Sequence, residues 1–226
     1  MDNQGLDRTL GLLATLAAAT VAAMVAGILL THSSQDFFQS ARAVDDYRAF
    51  LGAPAAATGL RINLGLDNLF MIFYGAFFVV LAARLREVLD ARLVGVALAA
   101  AMLTLLLDSL ENHHIMTTVY AIEAGLPVSA GDGEFQMVAS QIKFHASYLA
   151  TFLFSLGFLR LGEVGRIIAI VLWCYIPCGV MISVLPPDSA KLLVLGRTIF
   201  FVFAFVLSAI LFFSLARTER SVTAMR

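Results

Sequence analysis

The chain reads as an all-α polytopic membrane protein, a bundle of six transmembrane helices with both termini in the cytoplasm. Three observations predict this. Sixty per cent of the 226 residues are apolar and only 14% are charged, whereas a water-facing domain carries about a quarter charged residues. The apolar residues fall in long runs, and short segments between them hold nearly all the charge, as a bilayer solvent requires. Basic residues are distributed unevenly between the two sides that those runs define.

The predicted spans are 9–31, 62–84, 93–115, 137–160, 165–185 and 191–215, all within one transmembrane domain over 1–226. Each reaches the ~20 residues needed to cross a hydrocarbon core, and an isolated span in lipid must be helical to satisfy its backbone. The run Leu10–Leu30 exceeds the ~7–15 residues of a signal h-region and follows Asp2, Asp7 and one Arg8, so it reads as a retained first helix. An uncleaved signal is the alternative. Pro186-Pro187 ends the fifth span, because proline lacks the amide donor and restricts its predecessor.

Orientation follows from the arginines. Arg8, Arg84, Arg86, Arg92, Arg160, Arg166, Arg217, Arg220 and Arg226 fall on one side, against Arg42, Arg48, Arg61 and Lys191 on the other. The first side is therefore expected to be cytoplasmic, in a cell (inner) membrane. Of two long outer segments, 31–61 carries Phe37, Phe38, Ala41, Val44, Phe50 and Leu51 around Arg42, Asp45, Asp46 and Arg48. That spacing predicts a short amphipathic helix, either a connector at the membrane surface or a lid over an outward-facing site. The 116–136 segment, with Glu123, Asp132 and Glu134, reads as a loop in which Gly131-Asp132-Gly133 forms a turn.

Several apolar runs are too short. Leu69–Ala83 and Leu93–Leu107 hold fifteen residues each and Phe144–Leu159 sixteen. To span, the helices must take in Asp67 and Asn68, then Asp108, Glu111 and Asn112, then Lys143. The last span contains Arg197. With this topology Asp67, Asp108, Lys143 and Arg197 lie in one layer, roughly 10 Å inside the outer helix ends. Asp108, Glu111 and Asn112 share a helix face with Thr104, while Ser140, Lys143, Ser147 and Thr151 form a polar stripe and Asp67, Met71 and Tyr74 line up. A charge at the bilayer centre costs about 2.5–3.5 kcal/mol and usually faces the bundle interior with a partner. The expected site is a network of Asp67, Asn68, Asp108, Glu111, Asn112, Lys143 and Ser147, joined by Arg197. It would bind a proton, a cation or a small polar ligand. A salt-bridge cluster that only fixes helix packing is the plainer reading.

The histidines, His32, His113, His114 and His145, all fall on the outer side, which suggests a metal or haem. Helical phase argues against it. His113 and His114 flank the acidic face, and His145 points away from Lys143, unless the third span frays after Asn112. Cys174, Cys178 and Met181 form a stripe that could suit copper, or simply pack. No disulfide framework, Walker loop, G-x-S-x-G elbow or H-E-x-x-H pair is present, and no cofactor is indicated.

Three function classes follow. The first is a protein that binds or translocates a proton, cation or small polar ligand. The second is an intramembrane enzyme, metal-dependent on one version, acting on a lipid-like substrate with Asp108 or Glu111 as general base. The third is an accessory subunit of a membrane complex, its Phe-rich last helix meeting a partner or a second copy. The bilayer is the one partner common to all three. A net charge of −1 without a basic stripe excludes nucleic acid.

Overall fold

The computed structural model describes residues 2–39, 43–53, 55–185 and 189–224. Among them are seven α-helices: α1 (Asn3–Thr31), α2 (Val44–Leu51), α3 (Ala56–Leu85), α4 (Ala91–Glu123), α5 (Ala130–Phe158), α6 (Gly162–Val184) and α7 (Lys191–Ala224). A 3-10 turn at Gln35–Gln39 precedes α2. Ala41, Arg42, Pro186, Pro187 and Arg226, which figure in the sequence reading, lie outside the described residues, as do the side chains of Lys191 and Arg220.

The six long helices close into a ring. α1 packs on α3 and α7, α4 on α3 and α5, and α6 on α5 and α7. Sequence neighbours are thus spatial neighbours, as the short connections demand. Gln4 Nε2 donates to the Ala216 carbonyl at 3.0 Å, so the first turn of α1 and the late turns of α7 lie at one end of the ring. Two glycines allow close helix approach. A Cβ at Gly59 of α3 would overlap Thr31 of α1, and one at Gly165 of α6 would overlap the Phe158 carbonyl oxygen.

α1, α3, α4, α6 and α7 are long and apolar enough to cross a membrane by length and composition. α5 falls short of that standard, although it fills the ring position between α4 and α6. The shortfall comes from Gln141, Lys143 and His145; Lys143 is buried with Ser140 and Thr151, whereas Gln141 and His145 are exposed.

The 116–136 segment corrects the expectation of a loop. α4 runs unbroken to Glu123 and α5 starts at Ala130, so Gly131-Asp132-Gly133 is the first turn of a helix. Ser129 is the reason. Its Oγ accepts from the Asp132 amide at 3.2 Å, and the Asp132 carboxylate accepts from the Ser129 amide at 2.9 Å. This reciprocal cap outweighs two glycines in the turn, and the Ser129 bonds hold Asp132 below the usual carboxylate range. With 33 residues, α4 is about 50 Å long and outreaches a 30 Å hydrocarbon core. Arg61 and Glu123 pair near the projecting ends of α3 and α4.

The 31–61 segment does contain a short helix, α2, but its apolar side meets protein. Phe38 and Tyr47 stack with centroids 5.0 Å apart and are buried with Leu60, Leu64, Ile115 and Val119 of α3 and α4. The segment is therefore a cap on one end of the ring. At the other end Arg84 of α3 binds the fully buried Asp7 of α1 (Nε–Oδ1, 2.9 Å) and the partly exposed Glu87 (2.8 Å).

Candidate functional site

Helical phase brings the polar residues of α3, α4 and α5 to the inside of the ring, near its capped end. Lys143 is the hub. Its Nζ lies 2.9 Å from Asp108 Oδ1 and 2.9 Å from Glu111 Oε2, and the side chain is almost fully buried. Asp108 and Glu111 can both reach it because three residues in a helix return to one face.

Each acid is then completed differently. Tyr74 donates to Asp108 Oδ2 at 2.9 Å. Glu111 receives Ser140 Oγ on Oε2 at 2.6 Å and Gln39 Nε2 on Oε1 at 2.7 Å. Both carboxylate oxygens of each are therefore hydrogen-bonded, which is what makes a buried pair tolerable. Asp67 differs. Asn112 Nδ2 donates to its Oδ2 at 2.8 Å, and Gln35 lies against it. Among the described residues no Lys, Arg or His nitrogen comes within 4.0 Å of this carboxylate, which is 4% exposed.

These groups face a cavity of about 180 Å³ that all six long helices help to line, with Asp67, Tyr74, Asp108, Lys143, Ser147 and Arg197 among its walls. Its far side is closed by aromatic rings. Phe77 and Phe78 of α3, Phe154 and Phe158 of α5, and Phe212 of α7 meet across the ring with centroids 5.4 to 6.4 Å apart. Because α3, α5 and α7 are not ring neighbours, these contacts run through its centre. The two halves of the interior therefore differ: a chamber lined by the charged residues under the cap, and an aromatic layer beyond it that encloses only a small void of about 30 Å³.

Of the residues expected from sequence, Asp108, Glu111 and Lys143 form one ion-paired cluster, and Asp67 and Asn112 form a hydrogen-bonded pair that stands beside it. Ser147 borders the chamber and lies 3.2 Å from the Tyr175 hydroxyl. Asn68 is exposed on the outer surface and joins only by accepting from Asn112 at 3.0 Å. Arg197 does not join the acids. Its guanidinium carbon sits 3.9 Å over the Phe144 ring, and no described carboxylate lies within ion-pair distance.

The histidines stay apart from one another. α4 does not fray after Asn112, so His113 remains exposed with Nδ1 2.7 Å from the Ser109 carbonyl, and His145 is likewise tied to Gln141 O at 2.8 Å. His114 contacts Gln136 Oε1 at 2.8 Å, and Gln136 in turn donates weakly to Ser140. Among the described residues no three His, Cys, Asp or Glu side chains form a group that could hold a metal.

Sequence reasoning missed Gln35, Gln39 and Gln136. The two glutamines of the 3-10 turn are separated from the acids by many residues, and no periodicity links them. Their only signal is adjacency to Phe37-Phe38, which anchor the turn onto the ring end. Tyr74 was visible in the phase of α3, but its hydroxyl partner was not. No protein-family model matches the chain, and neither the curated proteins nor the solved structures contain a detectable relative.

Proposed function

We propose that all six long helices cross the membrane with both chain ends on the cytoplasmic side, and that the chamber binds a proton or a small cation at Asp67. The orientation is supported by the excess of arginine at the ring end that holds the α3–α4 connection. Cysteine labelling in intact cells should leave the 86–90 connection unreactive from outside and make residues 124–128 reactive. The reverse pattern would overturn the orientation.

One observation carries the binding reading: Asp67 is a buried chamber-lining acid with no cation in ion-pair distance among the described residues, beside two acids that already share Lys143. An ionised carboxylate in such a place is costly unless paired, so it favours a proton or a positively charged ligand. The chamber's size suits a small solute, and the aromatic layer makes binding from the capped end the simplest event. Unfolding temperature in neutral detergent should rise for at least one of sodium, potassium or methylammonium, or on acidification. Asp67→Asn should weaken that response at least tenfold. A response of equal size in Asp67→Asn would sink the proposal.

A further inference from the structure

A second and larger cavity, of about 640 Å³, adjoins the chamber on the side of α5, α6 and α7. Ser34, Asp36, Gln39, Phe144 and Arg197 line both spaces, so the two share one wall. Every α6 residue that lines it lies beyond Pro177, which sits inside that helix. Proline lacks the amide that would bond the carbonyl four residues earlier, so α6 loses one bond of its ladder there while running on to Val184.

Phe37, Phe50, Met137, Ile182, Leu185 and Val194 give the cavity its apolar lining, and polar residues, His32, Asp36 and His145 among them, supply the rest. At its inner boundary is Arg197, which is 8% exposed. Arginine keeps its charge even when buried. Stacking on Phe144 and a contact with the Tyr148 hydroxyl supply part of what water would give, but no described carboxylate lies within ion-pair distance. A buried cation at the base of an apolar cavity calls for an anion that brings an apolar body with it.

We infer that this cavity takes a single-chain amphiphile with an anionic headgroup, a carboxylate or a phosphate monoester, whose charge meets Arg197 while its chain lies along the apolar walls. The headgroup forms charge-assisted hydrogen bonds to the guanidinium, for which that planar fork is well shaped. This site is distinct from Asp67: the charge that would hold its ligand is opposite, and Asp67 does not line its cavity. Because they share Phe144 and Arg197, occupancy of either changes the wall of the other.

The test uses the full chain in neutral detergent and follows unfolding temperature against added laurate or dodecyl phosphate. Both should stabilise the protein, and Arg197→Met should raise the concentration needed at least tenfold. Dodecyltrimethylammonium and dodecanol, with the same chain and no negative charge, should be inert. Equal stabilisation by either would overturn the inference. Acetate and inorganic phosphate probe a free anion; if they match the amphiphiles, the apolar chain has no role and the amphiphile is refuted. Should Arg197→Met fail to fold, Ile182→Trp fills the apolar part while retaining the arginine. Laurate must then lose its effect, and undiminished stabilisation would equally overturn the site. Asp67→Asn is expected to retain laurate binding, which separates failure here from failure of the cation site.

Discussion

Lys143→Met should destabilise the protein by about 3–5 kcal/mol, the usual cost of removing one partner of a buried ion pair. The lysine lies 2.9 Å from two carboxylates at once, so its loss leaves the buried Asp108 and Glu111 without an ion-pair partner among the described residues. Methionine fills nearly the same volume, which keeps the packing term small. The deficit should shrink as pH falls, because protonation is the route left for removing the surplus charge. The folded variant then binds more protons than the unfolded chain, and linkage makes stability fall as pH rises. Lys143→Met with Asp108→Asn should recover part of the loss. Adding Glu111→Gln should recover more, since Glu111 touches the lysine as closely as Asp108 does. Unfolding in detergent across pH measures all three variants. If the losses add without rescue, the acids and the lysine are not coupled and the cluster is no functional unit.

Helix phase and span length made the core of that cluster legible in the sequence. Asp108 and Glu111 stand three residues apart, so a regular helix had to put them on one face, and the short apolar run before them forced both into the bundle. Lys143 was required on α5 by the same length argument. What the sequence withheld is tertiary. Arg197 was expected at the same depth as the acids, yet it packs on Phe144, because depth along a helix says nothing about which neighbour a side chain meets. Gln35 and Gln39 reach the acids from a turn whose placement depends on Phe38 and Tyr47 finding the apolar ends of α3 and α4. The Ser129–Asp132 cap was readable as a helix start, but two glycines beside it carried the turn signal. The ring order, which agrees with chain order and short connections, and the aromatic contacts across its centre both needed the structure.

Arg84→Met should cost a similar amount, about 3–5 kcal/mol, at the opposite end of the ring. Asp7 is fully buried and Arg84 is its ion-pair partner among the described residues, at 2.9 Å; Asp7 Oδ2 has no hydrogen-bond partner there. Removing the arginine strands that charge between α1 and α3. The reverse change is milder. Asp7→Asn leaves Arg84 bound to Glu87 at 2.8 Å, near water, and the amide still fits the space. The order of stability should therefore be wild type, then Asp7→Asn, then Arg84→Met, with the double variant recovering toward Asp7→Asn. Equal losses in the two single variants would mean that Arg84 is held by Glu87 alone and that Asp7 is folded as the neutral acid. This cluster shares no residue with the chamber, so Arg84→Met should lower stability while leaving the response to cations at Asp67 and to laurate at Arg197 unchanged. A binding change in Arg84→Met comparable to that of Asp67→Asn would mean that the two ends of the ring move together, and that the far-end ion pair belongs to the working machinery and is more than a fastening between α1 and α3.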